Sequence, residues 1–353
     1  MKKAADILPQ DPLIPTEKLA ACFNNTSATY KYYWFLSLLH FAAKGKTLIT
    51  KREMFACMVS KAWYTINYFH ISFGAQDKLQ RAVERIKILE GLSVEANQEE
   101  VFSVLTHSHN SQTNRELMYF DNQVPHWFLS PWFPSESRQA IYHLSKESRN
   151  LSPYALYQDY IDVGLLWANY FQRNIVVIRD FCYWNLAFYL QQKNPGVPDV
   201  PGKLVKPAKR ESLTRQRNQF WNPVLEELGS IRCIYTGTKL SKNNYAIEHF
   251  VPYSFVSHNL IWNLIPANQS FNSSKGDKLP LMEKFFDPFY ETQARAIEII
   301  KKRNPDCKIL QEYLTVFPDL DNPRAESSRI KLRETIQPLI TMAHNNGFEF
   351  MTK

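Results

Sequence analysis

The stretch from Cys233 to Pro280, CIYTGTKLSKNNYAIEHFVPYSFVSHNLIWNLIPANQSFNSSKGDKLP, limits what this chain can fold into more than any other. Tyr245-Ala246-Ile247 alternates as a strand does. Thr236-Gly237 is a turn signal, expected to pair that strand with Arg232–Tyr235. Residues from about 268 to 275 read as a short helix that Gly276 stops. A hairpin followed by such a helix gathers Glu248, His249 and Asn272 at one end.

That trio suits hydrolysis of a phosphodiester. A carboxylate and an amide oxygen are hard ligands for Mg²⁺, which keeps its other positions for water and phosphate. A neutral imidazole beside the metal can take a proton from the attacking water. The metal stabilises charge on the leaving oxygen. No single residue is specific; their order and spacing together are.

With EHFVPYSF, then WNLIP, then FNSSKGD, the stretch resembles the ββα-metal motif of HNH nucleases. It is especially similar to the HNH domains of RNA-guided CRISPR effectors and of many bacterial HNH endonucleases. The resemblance implies that Glu248 is the acidic metal ligand and His249 the general base. Asn263 matches the middle Asn, which braces the loop carrying the base. Asn272 matches the second metal ligand, and Lys275 the basic residue near the phosphate. Mg²⁺, or Mn²⁺ in its place, is the implied cofactor. His258 is a rival base, placed in the loop away from the strand end. Many HNH proteins also hold a structural zinc with two Cys-x-x-Cys pairs. Here the four positions are Cys233, Thr236, Asn268 and Phe271, so no structural zinc is expected.

The remaining 300 or so positions say less about chemistry. A chain of 353 residues has room for two or three domains, and 44% hydrophobic with 14% aromatic residues describes a packed protein. A net charge of +8 fits a polyanionic partner without demanding one. Five scattered cysteines suggest a reducing compartment. The first residues carry no long apolar run, so no signal peptide is read. The most apolar run, Ile175 to Leu190, contains Arg179 and Asp180 and reads as a buried helix rather than a membrane span. A cytoplasmic location follows.

The fold class expected is mainly α with a small α+β part. Residues 1–193 read as a helical recognition or regulatory domain, 194–219 as a basic linker, and 220–353 as the nuclease domain with carboxy-terminal helices. Helical spacing marks Tyr30–Lys44, Lys51–Phe69, Asp77–Leu89 and about Glu99–Thr106. Ser152-Pro153 should open another helix, with Leu156, Tyr160, Val163, Trp167 and Tyr170 as its apolar stripe. Val124 to Pro134 reads as a rigid irregular segment. After the motif, Asp287-Pro288 should start a helix to about Lys302, and Arg324–His344 forms a long one. The aromatic residues fall mostly at core spacing, so packing is preferred to base stacking. Lys203, Lys206, Lys209 and Arg210, joined by Arg215 and Arg217, form a candidate phosphate-tracking strip with Lys278 beyond the motif.

Together these readings point to a metal-dependent endonuclease acting on DNA, the substrate of most HNH relatives. Its setting would be bacterial restriction or anti-phage defence. The helical half would supply target choice, or a surface for a partner protein or a second copy. A non-catalytic DNA-binding or scaffold protein that keeps an HNH shell is the alternative.

Overall fold

The computed structural model describes residues 8–24, 26–147, 151–205, 211–317 and 319–352. Lys206, Lys209 and Arg210 of the expected basic strip lie outside the described residues. The chain divides into two units, residues 1–195 with 203–206 and residues 196–202 with 207–353, each taken by itself below.

The amino-terminal unit is helical around two central helices. It begins with α1 (Thr16–Ala21), α2 (Tyr30–Ala43), strand β1 (Leu48–Thr50) and α3 (Lys51–Asn67). Next come α4 (Lys78–Leu89), α5 (Gln98–His107), α6 (Ser111–Met118), α7 (Pro125–Phe128) and α8 (Arg138–Glu147). Strands β2 (Tyr154–Leu156) and β3 (Tyr160–Val163) lead into the long α9 (Leu165–Lys193). Helix α2 buries residues on every side, including Tyr33, Trp34, Phe35 and Leu38, as a helix apolar all round must. It packs between α3 and α9. Helix α3 starts where Thr50 and Glu53 exchange side-chain and backbone hydrogen bonds in a capping box. Trp34, Trp63 and Trp167 are fully buried, and Trp34 Nε1 donates to Tyr154 Oη at 3.0 Å. Most of the aromatic payload of this unit is therefore core.

The apolar run from 175 to 190, expected to be a buried helix, is exposed along one side at Val176, Val177, Trp184 and Phe188, and two further expectations fail in this unit. The helix expected from Ser152 is a pair of strands, and β1, β3 and β2 form an antiparallel sheet in that order. Ile49 and Leu156 both lie opposite Ile161, and all three are buried. The aromatic spacing from 156 to 170 mimics a helical stripe, but its first part belongs to strands, and α9 begins only after Gly164. The second failure is Lys203. It sits in a short helix, α10 (Val200–Leu204), fully buried, and its carbonyl accepts from Thr65 Oγ1 at 3.2 Å. A buried side chain cannot track phosphates, so Lys203 leaves the strip.

The carboxy-terminal unit builds a small sheet system on helices. It runs α11 (Thr214–Gln216), a π-helical turn over Arg217–Trp221, α12 (Asn222–Leu228), β4 (Ile231–Arg232) and β5 (Lys239–Leu240). Strand β6 (Ala246–His249), α13 (Tyr253–Val256), β7 (Leu264–Ala267) and α14 (Gln269–Lys275) follow. Helices α15 (Met282–Arg303) and α16 (Glu326–Asn345) complete it. The Thr236-Gly237 turn closes a hairpin, but its strands are β4 and β5. Strand β6 pairs instead with β7, Glu248 opposite Ile265 and His249 opposite Leu264. Pro266 fits because each strand of a two-stranded sheet is an edge. Helix α15 starts at Met282, six residues before Pro288, because Phe285, Phe286 and Phe289 form a buried face that outweighs the lost backbone bond.

Candidate nuclease site

β6, β7 and α14 build the site. Glu248 and His249 end β6, and the chain then turns through Phe250-Val251-Pro252 into α13. Asn263 fixes that turn. Its Oδ1 accepts from the Val251 N–H and its Nδ2 donates to the Val251 carbonyl, both at 2.8 Å, and Asn263 is fully buried. One side chain thus replaces the ladder partners that Val251 loses where the sheet ends.

Asn263 is itself held from α15. Gln293, buried on a face of aromatic and aliphatic residues, donates to the Leu264 carbonyl at 2.7 Å. Its own oxygen accepts from Tyr313 Oη. Glu312 accepts from the Ile261 N–H at 2.7 Å and pairs with Arg215 at 3.1 Å. Phe250 stacks on Phe289 with centroids 4.1 Å apart.

His249 is nearly buried, and its Nε2 lies 3.0 Å from Asn259 Oδ1. An amide oxygen only accepts, so in this contact Nε2 carries the hydrogen. The Asn259 carbonyl accepts from Gln216 Nε2 at 3.0 Å, which anchors the loop to α11. Tyr253 meets the imidazole edge-on at 5.4 Å. His258 is turned elsewhere: its Nδ1 accepts from the Leu260 N–H at 3.3 Å, and its ring leans on Trp262.

Lys275 ends α14 and is buried, which a phosphate contact does not predict. Its ammonium lies 2.6 Å from Glu248 Oε1 and 3.0 Å from the His249 carbonyl. A buried ammonium needs such partners, and here it ties the end of α14 to β6. Asn272, one turn back, is half-buried, and its side chain makes no hydrogen bond among the described residues.

The donor chemistry fits a hard divalent cation. Glu248 offers a carboxylate and Asn272 an amide oxygen, on two elements that pack together. The Tyr235 Oη is buried without a hydrogen-bond partner among the described residues. Burial first, and then the charge of Glu248, push its phenol well above the usual range. A ligand water on a metal would satisfy that hydroxyl. No group of three His, Cys, Asp or Glu side chains gathers as a metal cage among the described residues. A cation held by Glu248 and Asn272 would take its other ligands from water and phosphate, as Mg²⁺ prefers.

Ordinary packing fills the four positions where many HNH proteins carry zinc thiolates. Cys233 Sγ accepts from the Asn268 N–H at 3.4 Å. Asn268 Oδ1 caps α14 by accepting from the Phe271 N–H at 3.0 Å. Thr236 Oγ1 meets Thr238 Oγ1 at 2.8 Å, and Phe271 stacks on Tyr235 at 4.6 Å.

Of the expected basic residues, Lys278 is exposed just past α14. Arg215 is paired with Glu312, and Arg217 lies over the Tyr245 ring at 4.2 Å while donating to its carbonyl. Asn259, Gln293 and Tyr235 have no place in the sequence reading. Only Gln293 left a signal, as a lone amide at an inward position of an apolar helix face.

The family model described as HNH endonuclease matches residues 233–281. No curated protein and no solved structure matches the chain. No helix among the described residues is long and apolar enough to cross a membrane.

Two outcomes follow for this site. Lys275→Ala leaves the Glu248 carboxylate buried without its counter-charge, and stability should fall by about 3 kcal/mol or more. Urea titration reads this, and an unmoved midpoint would show that the pair adds no net stability. Cys233→Ser should stay folded by circular dichroism, and metal analysis of the wild type should find well under one zinc per chain. Stoichiometric zinc, lost with the fold in the variant, would overturn that account.

Proposed function

We propose that this chain, which carries an HNH endonuclease domain at residues 233–281, hydrolyses phosphodiester bonds of DNA with a divalent metal. One observation carries the reading. β6 ends in the Glu248 carboxylate and in the His249 imidazole anchored by Asn259, and α14, which packs on that strand, carries the Asn272 amide.

Glu248 and Asn272 would hold a divalent cation, and the chemistry it would supply is stabilisation of charge on the leaving oxygen. The chain's own residues do the rest. His249, fixed through Nε2–H by Asn259, presents Nδ1 to take a proton from the attacking water. Asn263 keeps the main chain after His249 from drifting. Lys275 ties the end of α14, the helix that carries Asn272, to Glu248 and His249 on β6. The amino-terminal unit is read as a module for target choice or partner docking. Bacterial restriction or anti-phage defence is the setting that this architecture suits, by analogy. The ammonium on Glu248 also favours a second reading, in which the carboxylate is permanently neutralised and the domain binds DNA without cutting it.

Plasmid nicking in Mg²⁺, in Mn²⁺ and in EDTA separates the two. Cutting that EDTA abolishes is expected; no cutting in either metal leaves the binding reading. His249→Ala should lower the rate by about 10² to 10⁴ while DNA binding persists. Asn272→Ala should be partly rescued by more metal, and His249→Ala should not. Asn259→Ala frees the imidazole to adopt either tautomer, so its rate should lie between wild type and His249→Ala. If His249→Ala cuts at the wild-type rate, the base is misassigned.

A further inference from the structure

The carboxy-terminal unit has a cleft of about 810 Å³ between the β4–β5 hairpin and α15. Arg232 and Lys239 line it from the hairpin, Arg295 from α15, and Arg324 from the segment before α16; Glu291 is the one carboxylate among the lining residues. Arg324 is already paired, with Glu298 at 2.8 Å and Glu291 at 3.5 Å. The other three cations have no carboxylate partner among the described residues. Elsewhere in this unit Lys242, Arg303 and Arg329 each have one. Arg232 donates only to the Gly237 carbonyl, at 3.2 Å.

The hairpin itself sharpens the point. Arg232 and Lys239 are direct partners across its two-residue ladder. Like charges placed opposite one another weaken an antiparallel pair, unless an anion lies between them. The three cations are exposed and come from two elements. No buried donor converges on a single point between them, as a site for one small anion requires. Exposed cations spread along a concave wall suit a chain of phosphates, each touched once. The cleft also borders the site. Cys233, in its wall, accepts from the N–H of Asn268, which caps the helix carrying Asn272.

We infer that this cleft holds the phosphodiester backbone of the DNA substrate through Arg232, Lys239 and Arg295, away from the phosphate that is cut. The inference rests on the nuclease reading above for the identity of the polyanion.

The test is binding of a DNA duplex by the full chain in EDTA, where no cleavage occurs, followed by fluorescence anisotropy over a range of salt. The variant is Arg232→Gln with Lys239→Gln and Arg295→Gln. Because all three side chains are exposed, and two of them are like charges facing one another, it should melt no lower than the wild type. The slope of log K against log salt should become shallower by about 2 to 3, at roughly 0.9 for each phosphate no longer neutralised. A control, Lys242→Gln with Arg303→Gln and Arg329→Gln, removes the same charge from paired positions and should move the slope by less than half as much. Equal slopes for the two variants, or no change in either, would overturn the inference. So would a pyrophosphate-induced rise in melting temperature that the cleft variant loses while its DNA slope stays put, since the cleft would then take a small anion. So would a slope change seen with single-stranded RNA and absent with duplex DNA. Plasmid nicking reports separately: no cutting with the slope change present sinks the nuclease reading and leaves the backbone contact standing.

Discussion

The buried ammonium of Lys275 is the interaction on which the carboxy-terminal site depends. A charge without water is tolerated only where fixed opposite charge and carbonyl oxygen replace the solvent. Glu248 and the His249 carbonyl do so, both at the end of β6. The ammonium therefore sets where α14 ends relative to that strand. Since α14 is short, it also sets where Asn272 stands. The chain thus buries a cation beside the Glu248 carboxylate. Around this pair the supporting bonds are neutral: Asn263 to Val251, Gln293 to Leu264, Asn259 to His249.

Much of the site was legible because its residues lie close in sequence and their spacing repeats a known geometry. That Glu248 and His249 end a strand, that Asn263 braces the turn after them and that a short helix with Asn272 and Lys275 packs on that strand could be read without coordinates. The pairing of the strands could not. The Thr236-Gly237 turn does close a hairpin, but two-residue strands suffice for it, and the strand of Glu248 finds its partner only beyond the excursion across α13. The role of Lys275 was misread for a related reason: spacing shows that a cation lies near the site, while burial decides what it touches. Asn259 was invisible because a loop amide has no periodicity to betray it. In the other unit, the residues from 154 to 163 carried aromatic spacing that fits a helix, and the pairing of β3 with β1, about a hundred residues earlier, overruled it. Long-range pairing is what local pattern cannot see.

Charge was the least legible property. A count of Lys and Arg along the chain suggested a strip before the motif, but Lys203 is buried, Arg215 answers Glu312, and Arg217 lies on Tyr245. These cations are structural members of their units. Cations with no carboxylate partner among the described residues stand instead in the cleft, at Arg232 and Lys239 on one hairpin and at Arg295, which is remote in sequence and joins them only in the fold.

The bracing of the site has a consequence for how such a domain can be inherited. The family match covers residues 233–281, yet Gln216 lies before it, and Phe289, Gln293, Glu312 and Tyr313 lie after it. Gln216, Gln293 and Glu312 satisfy backbone groups that would otherwise be orphaned inside the motif, Tyr313 holds Gln293, and Phe289 stacks on Phe250. The motif is thus not a cassette that can be moved between hosts with its geometry intact. Any scaffold that acquires it must supply equivalent donors and acceptors at the same points. Two proteins sharing the motif can accordingly differ in everything around it, provided that each has found its own way to close those open bonds.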